Sequence, residues 1–83
     1  MAAVVEDAAK LREYTIVLTP EPEEGGYSVT VPALPGCFTQ GDTFEEAIGN
    51  AREAIRCHIE GLALRGHPIP EEHEHPAVTI IGV

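Results

Sequence analysis

Apolar and polar positions alternate strictly over residues 14–19, where Tyr14, Ile16 and Leu18 share one face and Thr15, Val17 and Thr19 the other. Residues 27–31 repeat the pattern, with Tyr27, Val29 and Val31 facing one way and Ser28 and Thr30 the other. A period of two in β-branched and aromatic residues predicts strands. Between them lies Pro-Glu-Pro-Glu-Glu-Gly-Gly, which cannot continue a ladder and predicts an antiparallel hairpin. Residues 37–40 predict a short third strand after the crossing Pro32-Ala33-Leu34-Pro35-Gly36.

From residue 43 the period changes to that of a helix. Thr43 is placed to cap it, with Glu46 three positions on completing a capping box, and Gly66 followed by Pro68 ends it near Arg65. Phe44, Ala47, Ile48, Ala51, Ile55, His58, Ile59 and Leu62 form the apolar stripe, opposite Glu45, Arg52, Glu53, Arg56 and Glu60. Such a helix is about 33 Å long, whereas a six-residue strand reaches about 20 Å. It should overshoot its sheet, leaving Ile59, Leu62 and Leu64 for a second surface and predicting a dimer or higher homo-oligomer. Residues 77–83 are apolar on both faces and predict a last, internal strand. Residues 1–13 form an N-terminal extension with Val5, Ala8, Ala9 and Arg12 at helical spacing, predicting a short helix before a domain over 14–83. The expected class is α+β, in the order (α)βββαβ, a mainly antiparallel sheet with one long helix packed on one face.

With 83 residues this is one domain, short enough that self-association is expected to supplement its core. Fourteen acids against five Lys and Arg leave a net charge of −9. The cations Lys10, Arg12, Arg52, Arg56 and Arg65 are too scattered to displace counterions from phosphates, so direct nucleic-acid binding is not expected. An acidic surface steers encounter with a basic protein, or serves solubility alone. The N-terminus lacks the basic start and apolar core of a signal peptide, and no apolar run has membrane-spanning length, so the expectation is a cytoplasmic protein without membrane association.

The stretch 25–47, Gly-Gly-Tyr-Ser-Val-Thr-Val-Pro-Ala-Leu-Pro-Gly-Cys-Phe-Thr-Gln-Gly-Asp-Thr-Phe-Glu-Glu-Ala, followed by the Ala-spaced helix and Gly66-His67-Pro68-Ile69-Pro70, resembles the HicB-like antitoxin family. The most specific parts are Val31-Pro32, Leu34-Pro35-Gly36, Gly41-Asp42-Thr43 and Glu46-Ala47. The resemblance implies a partial ribonuclease-H-like fold whose final strand lies beside the first. It also implies a partner: a small, basic, mRNA-cleaving toxin of the HicA type, whose active site the antitoxin covers. Many members carry a C-terminal DNA-binding domain. The resemblance here runs out at Val83, so operator binding is not expected, and nothing of it transfers to residues 1–13. Two alternatives stand beside it: an orphan structural or small-ligand-binding domain, and a metal-dependent nuclease.

Nuclease chemistry needs carboxylates converging on a metal from strands and an adjoining helix. The strand-forming segments 14–19, 27–31 and 77–83 contain none, so no catalytic residue and no cofactor are expected. His67, His73 and His75 among Glu71, Glu72 and Glu74 read as a solvated acidic loop in preference to a metal site. His58 reads as a packed residue at the core edge, Asp42 as a turn acid, and Cys37 and Cys57 as ordinary thiols. Pro32, Leu34 and Pro35 read either as an apolar partner-contact ridge or as a purely structural crossing, and Ile59, Leu62 and Leu64 on the helix as a further contact surface.

Overall fold

A computed structural model describes residues 2–7 and 10–83, with side chains from Arg12 onward. Strand β1 spans Ala2–Asp7, β2 Lys10–Thr15, β3 Val17–Pro20, β4 Tyr27–Thr30 and β5 Phe38–Gly41, and helix α1 spans Phe44–Leu64. β1 and β2 form an antiparallel pair, and β3, β4 and β5 an antiparallel sheet in that order. The class is therefore α+β, as the periodicity predicts.

The expected strand over 14–19 is formed in two pieces, interrupted at Ile16, so that its first half pairs with β1 and its second with β4. The alternation survives the break: Tyr14 and Ile16 are buried and Leu18 partly so, while Val17 and Thr19 face out. Thr15 departs from it, being buried by a contact from the far end of the chain.

Two expected elements are not formed. Ala2–Asp7 is a strand where a short helix is predicted; Ala8 and Ala9 of that helix lie outside the described residues. An isolated helix of this length is marginal in water, whereas pairing with β2 gives the segment backbone partners from Ala2↔Thr15 to Asp7↔Lys10. At the other end, residues 77–83 form no strand and are exposed, not internal. The final strand that a ribonuclease-H-like arrangement requires is thus not in place.

α1 lies across β4 and β5, and one cluster fills the space between: Tyr14, Ile16, Val29, Val31, Leu34, Cys37, Ala47, Ala51, Ile55 and Ile59. The helix faces the sheet with alanines at its N-terminal half, which allows close approach. Gly41, at the end of β5, takes this furthest: a Cβ there would sit 2.4 Å from the Ala47 nitrogen. Tyr27 and Phe44 close the rim of the core, their rings edge to face at 5.7 Å and 81°.

Both helix ends are satisfied by the residues expected. Thr43 Oγ1 accepts the Glu46 N–H at 3.1 Å, and the Glu46 carboxylate reaches back to the N–H of Asp42 at 3.0 Å, one residue before the cap. At the other end Gly66, with φ +69°, closes a Schellman turn: the His67 N–H meets the Leu62 carbonyl at 2.9 Å and the Gly66 N–H that of Ala63 at 3.1 Å. The chain then doubles back and Ile69 packs against the core, and Ile59, expected to be left uncovered, is a buried member of that core. Leu62 is half-buried, and Leu64 is 89% exposed.

Candidate partner surface and tail anchor

The crossing after β4 is a compact knot in which buried and displayed residues alternate. The Leu34 N–H bonds the Val31 carbonyl and the Cys37 N–H bonds the Leu34 carbonyl, each at 3.0 Å, while Val31 N–H reaches Cys37 at 3.3 Å. This winding drives Leu34 fully into the core and turns Pro32 and Pro35 outward. Leu34 is therefore not the partner contact that the ridge reading expects: the side chain that plugs the core is what lets the two prolines stand proud. Ile59 is likewise a core residue. Of the six candidate contact residues, Pro32, Pro35, Leu62 and Leu64 reach the surface.

The sequence reading missed Phe38, which is 71% exposed at the start of β5. It forms one wall of an open groove of about 360 Å³, with Gly36, Cys37, Ala54, Cys57, His58, Gly61 and Arg65. Small residues on α1 (Ala54, Cys57, Gly61) create the depression, and Arg65 closes its far end. Alternation along β5 could have flagged Phe38, since burial of Cys37 requires the next residue to face out. Both cysteines are free; Cys37 is buried, which raises its thiol pKa and keeps it neutral, and Cys57 is exposed. His58 is half-buried on the stripe edge, as expected.

A second cluster ties the return segment to β2. The Glu72 carboxylate accepts the Thr15 N–H through both oxygens, at 3.1 and 3.2 Å, and the Thr15 hydroxyl at 2.5 Å. His75 Nδ1 donates to the same carboxylate, and its Nε2 lies 3.4 Å from Glu13. The Tyr14 hydroxyl donates to the Pro70 carbonyl at 2.6 Å. Burial alone would raise the Glu72 carboxyl, but the hydrogen bonds from Thr15 and His75 outweigh it and hold the pKa below its ordinary value. The His75 imidazole is raised, first by its bond to Glu72. This loop was expected to be solvated, and most of its residues are exposed, but Glu72 and His75 work as a fastener. Among the described residues, no three His, Cys, Asp or Glu side chains are grouped to hold a metal ion. Among the described residues, no helix is long and apolar enough to cross a membrane.

Comparison with known proteins adds identity to this geometry. The model of the "HicB_like antitoxin of bacterial toxin-antitoxin system" family matches residues 14–79. A UPF0150 protein of Thermoplasma acidophilum is 51% identical over 61 residues, covering 74% of this chain and 87% of that protein. Antitoxin HicB 1 of Photorhabdus laumondii is 48% identical over 46 residues, 55% of this chain and 29% of that protein. Antitoxin HicB of Escherichia coli is 45% identical over 42 residues, 51% of this chain and 30% of that protein.

Proposed function

The chain belongs to the HicB-like antitoxin family, and on that premise we propose that it is the inhibitor of a toxin–antitoxin pair, a non-catalytic cytoplasmic protein that captures a small basic mRNA-cleaving toxin of the HicA type. The family match over 14–79 is the observation that carries this reading. Two features of the molecule support it. The net charge of −9 attracts a basic protein at long range, raising the rate of encounter more than the final affinity. Once in contact, the exposed ridge of Pro32, Pro35 and Phe38 offers rigid apolar anchors beside a groove, the kind of feature that concentrates binding energy. The sheet of β3, β4 and β5 contains no carboxylate, and the strand carboxylates Glu6, Asp7 and Glu13 lie on β1 and β2. With only five scattered cations, nucleic acid is not its expected ligand.

Co-expression with the protein of the neighbouring reading frame tests the proposal. The expected result is a co-purifying small basic protein that degrades mRNA when freed and is silent in the complex. Replacing Phe38 and Pro35 by Asp should weaken the complex while leaving the helix signal in circular dichroism unchanged. A neighbour that fails to co-purify, or RNA cleavage undiminished by the complex, would overturn it.

A further inference from the structure

Residues 67–83 return from the end of α1 toward β2, and apolar burial stops early in that return. Ile69 packs against the core, and among the described residues no later side chain belongs to it. From Pro70 onward the attachment is polar: the Tyr14 hydroxyl on the Pro70 carbonyl, Glu72 on Thr15, and His75 between Glu72 and Glu13. Residues 76–83 are exposed and in no strand.

Each ring nitrogen of His75 faces a carboxylate: Nδ1 bonds Glu72, and Nε2 lies 3.4 Å from Glu13 on β2. Those two acids are the charged groups that face the ring, one from its own segment and one from the strand it lies against. A carboxylate only accepts, so both nitrogens must carry hydrogen for the arrangement to hold. A neutral imidazole has a single N–H. Losing the second proton turns a lone pair toward one carboxylate and leaves two negative charges with no cation between them.

We propose that residues 70–76 form a proton-gated strap: an imidazolium at His75 clamps Glu72 over Thr15, and its neutralisation lets the strap lift from β2 while sheet and helix stay folded. The exposure of the two ends suits a gate. The His75 side chain is 34% exposed and meets solvent protons directly, whereas Thr15, which it guards, is 3% exposed. Lifting the strap replaces Glu72 by water at the Thr15 N–H and hydroxyl. With no apolar anchor past Ile69 among the described residues, opening breaks hydrogen bonds and exposes little buried area, which separates it from global unfolding. The bond to Glu72, and then the charges of Glu72 and Glu13, hold the imidazole above its ordinary range, so the gate opens on the alkaline side of that range. The strap does not rest on the toxin-capture reading and goes beyond it.

Hydrogen exchange on the full chain from about pH 5.5 to about pH 8.5, read by NMR with the His75 ring titrated in the same samples, tests the strap. Protection of the Thr15 amide, corrected for the intrinsic rise of exchange with pH, should fall with the same midpoint as the ring. The expected fall is roughly tenfold, about the difference between a charge-assisted and a neutral hydrogen bond. Protection of the Ile55 amide, inside α1, should not change. Glu13→Gln should move both midpoints down together. His75→Gln, a neutral donor, should hold Thr15 at its alkaline level of protection throughout, with an unchanged helix signal. Thr15 protection that ignores pH, ring and amide midpoints that differ, or a pH dependence that survives His75→Gln overturns the proposal. So does an Ile55 amide that loses protection in step with Thr15, which would mean the whole domain opens.

Discussion

Glu72 receives both the backbone N–H and the hydroxyl of Thr15, 57 positions earlier in the chain. Thr15 is 3% exposed although it stands on the polar side of an alternating segment, so this one carboxylate supplies what water would otherwise provide. The bond also sets where the chain goes after the helix.

Removing the acceptor should be costly. Glu72→Ala leaves two donors of a buried residue unsatisfied, and the expected loss is about 1–3 kcal/mol of unfolding free energy, read from urea denaturation. Glu74→Ala, at an exposed neighbour, should change stability by less than about 0.5 kcal/mol.

The same cluster gives a pH window. A carboxyl whose pKa is lowered on folding, as in Glu72, stabilises the fold above its unfolded value and loses that contribution as pH falls through the folded one. An imidazole whose pKa is raised, as in His75, stabilises below its unfolded value and loses that contribution as pH rises through the folded one. The fastener is therefore complete between about pH 4.3 and about pH 6.5. His75→Gln should lower the urea midpoint more at about pH 5.5 than at alkaline pH, where the imidazole has lost its charge.

Two glycines in and beside the helix should respond in opposite directions. Gly49 is helical with open space around its Cα, so Gly49→Ala should stabilise by up to about 1 kcal/mol. Gly41→Ala would force a methyl to 2.4 Å from the Ala47 nitrogen, and neither strand nor helix backbone can yield there cheaply. Thermal melts of the two variants should move to opposite sides of the parent.

The crossing separates scaffold from surface. Leu34→Ala empties a fully buried site and should cost about 2–5 kcal/mol. Pro35→Ala and Phe38→Ala should leave the denaturation midpoint nearly unmoved and act instead on toxin capture, measured by titration of the purified partner.

Much of this was legible locally. The Thr43–Glu46 cap, the Gly66 stop, the hairpin between β3 and β4 and the apolar stripe of α1 each depend on residues within a few positions of one another. Leu34 stood open between ridge and structural crossing because a residue in a proline-rich crossing can point either way, and only the turn bonds of Val31, Leu34 and Cys37 decide that it points inward. The burial of Thr15, on the face opposite Tyr14 and Ile16, was not legible because its partner is 57 residues distant.

By itself the sequence determined the α+β class, the limits of the helix and the family signature at 31–47, because capping, turn stereochemistry and periodicity act over one or two turns of chain. Only the tertiary structure decided that Ala2–Asp7 is a strand and that 77–83 is not. Strand pairing is a property of two segments together. A β-branched run states a preference, and whether a partner edge lies within reach is settled by where the rest of the chain has gone.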